Sequence, residues 1–230
     1  MEHTLDNPIW NALKSGNKDL AEGNQQASYF KRTVAAFAGL ESYSAEDFEA
    51  LYRVSPFDDM PVVLFTPGEI TVPVNWEISL KKNITQMVYA KAIPAEETVL
   101  HGTALMDKDV PAMIALATLT KPGPFLSRTI EFGNYEGIFD GSNLVAMAGQ
   151  RMQPDPYTEI SAVCTHPDFA GRGYAAVLIR RQVRQIIQAG RIPFLHVFSD
   201  NFPALNLYLK LGFSVRREMT VYVLQKKTYA

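Results

Sequence analysis

The first sustained alternation of apolar and polar positions in this chain comes well after its start. Residues 1 to about 25 are polar and aperiodic, and the run from Lys14 to Gln26 reads as a surface segment or a frayed terminus in which little function is to be sought. From Ala27 to Ala38, the positions Phe30, Val34, Phe37 and Ala38 fall at helical spacing and predict a helix. Ser44 and Asp47 stand as a capping box for a second helix through Phe48, Leu51 and Tyr52, which Pro56 closes. Short extended runs follow at 62–66 and 70–74, broken by Pro67, Gly68 and Pro73 as edges and turns are. Another strand is expected near residues 84–91.

From about residue 98 the pattern becomes more orderly. An extended run at 98–106 leads to a helix at 109–120 with Asp109 as its N-cap, then a Pro/Gly break, then extended segments at 135–141, 143–152 and 158–165. The first pair turns at Asp140 and Gly141 and the second at Pro154, Asp155 and Pro156, which predicts an antiparallel meander. A long helix at 174–189, a strand at 193–198, a helix from Ala204 to Leu211 and a last extended run through 221–225 complete the order. The change of pattern divides the chain into an N-terminal region of helices and short strands, 1–95, and a second domain, 96–230.

Composition narrows the class. With 47% hydrophobic and 20% charged residues the chain can bury a core, which excludes wholesale disorder, collagen and coiled coil. Twenty-two basic against 24 acidic residues leave a net charge of −2, which makes no general case for a nucleic-acid or polybasic membrane partner. The single cysteine, Cys164, cannot form an intrachain disulfide, and with four histidines it offers little for zinc, so no metal is expected. No basic segment leads into an apolar stretch at the start, and no window approaches the ~18 apolar residues of a membrane span. The expectation is a cytoplasmic protein.

The most informative stretch runs from Ile160 to Gly190, an apolar strand passing through a short glycine turn into an amphipathic helix. Ala176, Ile179, Val183, Ile186 and Ile187 face the core, with Arg180, Arg181, Arg184 and Gln185 on the opposite side. Gly171 and Gly173 permit positive φ and leave backbone N–H groups open at the helix N-terminus, a geometry that binds phosphate. No Gly-Lys-Ser/Thr follows, and the spacing is not Gly-x-Gly-x-x-Gly. Alone, the turn reads better as a tight strand-to-helix connection. A second element adds to it: a strand ends near Asn201, and Tyr208 lies seven residues on, about two helical turns, so both can line one side of a cleft.

Segments 160–176 and 195–213 resemble the acyl-CoA-binding core of the GNAT superfamily, the Gcn5-related N-acetyltransferases, in a bacterial subgroup with a divergent N-terminal part. The family's Gln/Arg-x-x-Gly-x-Gly/Ala motif stands here as Asp168, Phe169, Ala170, Gly171, Arg172 and Gly173. Its Asn…Ala…Leu-Tyr…Leu-Gly-Phe signature stands as Asn201, Ala204, Leu207, Tyr208, Leu211, Gly212 and Phe213. The resemblance covers about 98–224 and does not reach the first ninety residues. Asp168 departs from the pattern and is expected to point outward.

The resemblance implies an α+β fold on a mixed, mostly antiparallel sheet splayed at the acetyl-CoA site, with an extra N-terminal α/β region. It implies an acetyl-CoA-dependent N-acyltransferase in which Val163, Cys164 and Thr165 pair with the pantetheine arm as an added strand. Gly171, Arg172, Gly173, Tyr174 and Ala175 would cradle the pyrophosphate, and Asn201 would bond the arm. Tyr208, with an ordinary pKa of ~10, would act as the acid for the departing thiolate. Glu159 and His196 stand level as the base, with a water chain as the third option. Family members commonly dimerise, but nothing in this sequence fixes the oligomeric state.

Blander readings stand beside these. Cys164 reads as a packed thiol ahead of a nucleophile, and His166 as a residue that fixes loop geometry. The arginines of the long helix read as a solvated face, and His101 is assigned no role. Arg128, Glu131 and Tyr135 are the candidates for gripping the acceptor, a small amine or amino acid. The alternative to an enzyme is a non-catalytic acyl-CoA sensor or scaffold, and a further one is a generic nucleotide-phosphate binder.

Overall fold

Leu5, Ile9, Ala12 and Leu13 are all buried at helical spacing, and they fasten the start of the chain to the body of the protein. The computed structural model describes residues 3–56, 60–94 and 102–227. Pro8–Lys14 forms helix α1, with Pro8 in the first turn, where no N–H is needed. The surface segment expected for the first 25 residues therefore includes a packed helix, whose apolar stripe is two turns long and hidden among polar neighbours.

The helix expected over Ala27–Ala38 does not form. Strands Ala21–Gly23 (β1), Ala27–Phe30 (β2) and Ala38–Leu40 (β3) make a small antiparallel sheet instead. Every residue of β2 is buried, as are Val34 and Phe37, because α1 and the helix Ala45–Val54 (α2) both pack on it. A segment enclosed on all sides carries apolar residues at any spacing, and here the spacing imitated a helix. α2 starts with the expected capping box, the Asp47 N–H donating to Ser44 Oγ and the Ser44 N–H to the Asp47 carboxylate.

Among the described residues the main sheet has eight strands. Val62–Thr66 (β4), Trp76–Tyr89 (β5), Thr103–Ala104 (β6), Glu136–Asp140 (β7), Asn143–Gln150 (β8), Tyr157–Thr165 (β9), Ile192–Phe198 (β10) and Phe213–Lys226 (β11) lie in the order β4-β11-β5-β10-β9-β8-β7-β6. All neighbours are antiparallel except β9 and β10. Strands from both sides of residue 95 thus share one sheet. The run at 70–74 is irregular, its Pro73 unable to donate to a ladder. β5 begins earlier than its pattern announced: between Trp76 and Asn83 it pairs with β11 alone and is largely exposed, which erases the alternation. Of the extended run expected at 98–106, residues 98–101, His101 among them, lie outside the described residues, and Thr103–Ala104 is extended.

Helix Val110–Thr120 (α3) packs on one face of the sheet with α1 and the N-terminal region. Asp109 precedes it, but its carboxylate accepts the Met106 N–H and caps no helical amide. Helices Tyr174–Gln188 (α4) and Phe202–Leu211 (α5) cover the other face through Ile160, Leu195, Val197 and Phe213. The buried stripe of α4 is Val177, Leu178, Ile179, Val183 and Ile186, with Gln182 among them. Two of its arginines do not belong to a merely solvated face: Arg181 pairs with the buried Glu136 at 2.7 Å, and Arg184 donates to the Pro94 carbonyl.

Candidate active site

The parallel strands β9 and β10 part company halfway. Their register runs through Tyr157–Ile192, Thr158–Pro193 and Glu159–Phe194 and stops there, although β9 continues to Thr165 and β10 to Phe198. Beyond that point β9 also bulges: Ser161 to Cys164 spans what Gly149 to Met147 spans on β8 with one residue fewer. Ala162 takes up the extra length at φ 53, a left-handed conformation costly for any side chain. The bulge bends β9 and leaves the β10-facing edge of Val163, Cys164 and Thr165 without a strand partner among the described residues. Thr165 Oγ1 is buried with no hydrogen-bond partner among the described residues. Burial raises the Cys164 thiol to about 11, which suits a packed thiol and not a nucleophile.

The chain leaves β9 through a short turn at Pro167–Phe169, fixed by the Asp168 N–H donating to His166 Nδ1, and reaches Gly171 and Gly173 at φ 78 and 80. A side chain added at either glycine would meet nothing within 4 Å, so space stands open over the turn. Gly173 is the N-cap of α4 with no capping side chain, and the first helical bond is Val177 N–H to Gly173 C=O. The amides of Arg172 to Ala176 take no hydrogen-bond acceptor among the described residues. Open amides at a helix N-terminus are what an anionic group requires. Arg172 lies over the Phe169 ring at 4.6 Å, and the Asp168 side chain is 83% exposed, pointing away.

Across the gap, Asn201 caps α5, its Oδ1 accepting the Ala204 N–H at 3.2 Å, and its Nδ2 takes no acceptor among the described residues. Tyr208 is buried in the cluster of Ile160, Leu195 and Val197, with Val163 and Ala175 packed against it. Its hydroxyl makes no hydrogen bond among the described residues, and burial pushes it up to about 12.

Glu159 and His196 occupy the opposite face of the sheet, beside Phe194 and Phe65, and are in contact with each other. Arg151 clamps the Glu159 carboxylate through two bonds of 2.8 and 2.7 Å, and His196 Nδ1 lies 2.7 Å from Glu159 Oε1. The other ring nitrogen lies 3.0 Å from Gln86 Nε2. Arg216 donates to Gln86 Oε1 and Gln86 Nε2 donates to the Leu5 carbonyl, so the amide's orientation is set and it donates to His196 Nε2. His196 therefore carries its proton on Nδ1 and gives it to Glu159. Burial alone would raise the Glu159 carboxyl, but Arg151 and then His196 outweigh it and hold the group at about 2. That arrangement suits holding neighbours in place and suits Glu159 poorly to taking a proton.

Tyr208 and the Glu159–His196 pair thus stand on different faces and can reach one ligand only through the gap between β9 and β10. Of the acceptor candidates, Arg128 and Glu131 form an ion pair with each other on the turn at Thr129–Phe132. Tyr135 is buried under Phe125 and flat against Gly149, its hydroxyl raised by burial. Gln86, Arg151, Arg216 and Asp6 belong to no motif and stand among other polar residues in their stretches of chain, so only tertiary packing reveals them. Among the described residues no group of three or more His, Cys, Asp or Glu is placed to hold a metal, and no helix is long and apolar enough to cross a membrane.

The FR47-like protein family model matches residues 135–223. A mycothiol acetyltransferase from Corynebacterium efficiens is 33% identical over 86 residues, which is 37% of this chain and 29% of that protein, so the match spans less than a third of the relative's length. Among solved structures, a GNAT-family protein from Novosphingobium aromaticivorans, described as an acetyltransferase, superposes with a TM-score of 0.91 at 32% identity over 99% of this chain and 100% of that one. A GCN5-related N-acetyltransferase from Kribbella flavida superposes with a TM-score of 0.63 over 96% of this chain and 95% of that one, at 13% identity, a likeness of fold.

Proposed function

The chain belongs to the GNAT family of acetyltransferases, and we propose that it moves an acetyl group from acetyl-CoA to the amine of a small molecule or amino acid by direct attack. The observation that carries this reading is the parting of β9 and β10 after Glu159 and Phe194, immediately ahead of a glycine turn with open amides. Those features suit the two halves of the donor. The edge of Val163, Cys164 and Thr165 offers backbone groups to a pantetheine arm, with Thr165 Oγ1 a polar atom still to be satisfied. Gly171 to Ala175 offer their amides to the pyrophosphate, Arg172 adds a positive charge, and Asn201 Nδ2 donates to the arm.

In the reaction the amine nitrogen attacks the thioester carbonyl carbon, the carbon–sulfur bond breaks, and the sulfur leaves with the electron pair. Tyr208 gives its proton to that sulfur and is reprotonated from solvent; at about 12 it remains protonated throughout the neutral range. The amine's proton leaves through water in the gap, since His196 Nδ1–H is held by Glu159 and its Nε2 by Gln86, and Glu159 fixes the His196 ring where β9 and β10 part. Glu159 is thus a positioning residue. Arg128 and Glu131 neutralise each other and leave the grip on the acceptor to other side chains.

The test is amine-dependent release of free CoA from acetyl-CoA across a panel of small amines. Release that follows the amine supports the transferase. A folded protein that binds acetyl-CoA and releases none with any amine is the sensor or scaffold instead.

A further inference from the structure

Asp6 is held by two consecutive arginines that an unbroken strand would send to opposite faces of the sheet. β11 bulges there: Val215 pairs with Met87 and Arg217 with Gln86, so Arg216 is the extra residue, and both guanidiniums reach the face that carries His196. The charges do not balance. Arg151 and Glu159 cancel, whereas Arg216 and Arg217 share, among the described residues, the one carboxylate of Asp6. Asp6 also meets them poorly for a carboxylate, both bonds converging on Oδ1 while Oδ2 accepts the His3 N–H. An Arg–carboxylate pair of full strength uses two parallel bonds to two oxygens.

The pair is joined to the candidate chemistry by a single buried side chain. Gln86 is 0% exposed and bonds Arg216 on one side and His196 on the other. In register, Arg217, Gln86 and His196 lie side by side on β11, β5 and β10. Two strand spacings separate the outer members, ~10 Å.

We propose that Arg216 and Arg217 form the binding site for a carboxylate of the acceptor, and that Asp6 is a placeholder this carboxylate replaces. The proposal rests on the transferase reading and narrows it. An α-amino acid cannot place its amine in the gap and its carboxylate on the arginines, whereas about three extended residues span ~10 Å. The acceptor class is therefore a short peptide, or an amino acid with its amine far from its carboxylate. A placeholder lowers the apparent affinity of the incoming group by the fraction of time that it holds the site.

Calorimetric titration with triglycine and with triglycinamide, which differ in the one carboxylate, tests this without need of turnover. The acid is expected to bind at least about tenfold more tightly than the amide, since a charged hydrogen-bonded pair is worth that much. Arg217→Gln should abolish the preference, and Asp6→Asn, which keeps both arginines, should strengthen binding of the acid and leave the amide unchanged. Should Arg217→Gln fail to fold, Asp6→Asn decides alone. Equal binding of acid and amide, binding of neither, or a preference untouched by Asp6→Asn would overturn the proposal. Titration with acetyl-CoA is run beside it: donor binding without discrimination removes this site alone, and discrimination without donor binding removes the transferase reading alone.

Discussion

His196 donates its Nδ1 proton to Glu159 across 2.7 Å, and the same carboxylate is gripped from its other side by Arg151. The contact ties β8's end to β9 and β10 at the point where the last two separate. Glu159 and the His196 side chain are 0% and 3% exposed, so neither charge nor ring has water to fall back on.

Replacing Glu159 by Gln leaves Arg151 buried without its counter-charge and should cost about 3–5 kcal/mol in urea denaturation at neutral pH. The acid side gives a second readout. The folded carboxyl at about 2 lies below its unfolded value, so the pair's stabilisation is complete above the ordinary carboxylate range and drains away as pH falls toward about 2. The wild type should lose stability between pH 5 and 3 more steeply than Glu159→Gln, those limits being roughly where ordinary carboxylates titrate. Parallel pH profiles would show that Glu159 is not held below its usual range.

Tyr208→Phe should lower turnover by about 100-fold or more, the usual scale of a positioned acid, with acetyl-CoA affinity nearly unchanged. Burial holds the hydroxyl at about 12, so no alkaline loss of activity below about pH 11 should trace to Tyr208. Steady-state kinetics with calorimetric donor binding checks both halves, and unchanged turnover would remove Tyr208 from the mechanism.

Ala162 pays for its left-handed φ, and Ala162→Gly should relieve about 1 kcal/mol of strain while the bulge and donor binding persist. A rise in denaturation midpoint with unaltered acetyl-CoA affinity is expected; a fall in midpoint would mean that the methyl group's packing outweighs the strain.

Gly149→Ala is expected to act the other way. An added Cβ would run into the ring of Tyr135, a rigid neighbour that is itself buried, and overpacking of this kind costs about 1–3 kcal/mol. Thermal unfolding of the variant checks it, and an unchanged midpoint would show that the ring can move aside.

Much of the second half was legible because its elements carry local signals. Asp140–Gly141 marked a hairpin, Gly171 and Gly173 marked the entry to α4, and Gly212 past the end of α5 takes the left-handed φ of a helix stop. The first half was less so, for reasons visible in single residues. Val34 and Phe37 are buried from several directions, which makes spacing uninformative, and Leu5 to Leu13 form too short a stripe to rise above polar neighbours. Of the site, Gly171, Gly173, Asn201 and Tyr208 belong to motifs and could be named. Arg151, Gln86 and Asp6 come together only through tertiary packing, between positions as far apart as Asp6 and Arg217. A hint did exist at Arg216 and Arg217, where two adjacent charges inside a strand break the alternation as a bulge does.

The gap between β9 and β10, with the turn at Gly171 and Gly173, is the proposed donor site for acetyl-CoA. Isothermal titration of the protein with acetyl-CoA, with ATP as control, tests it most directly. Binding on the order of micromolar, the middle of the range for specific ligands, is expected, which ATP does not compete away and which Gly173→Glu abolishes by placing a carboxylate among the open amides. A folded protein that binds no acetyl-CoA, or binds ATP equally well, would contradict it.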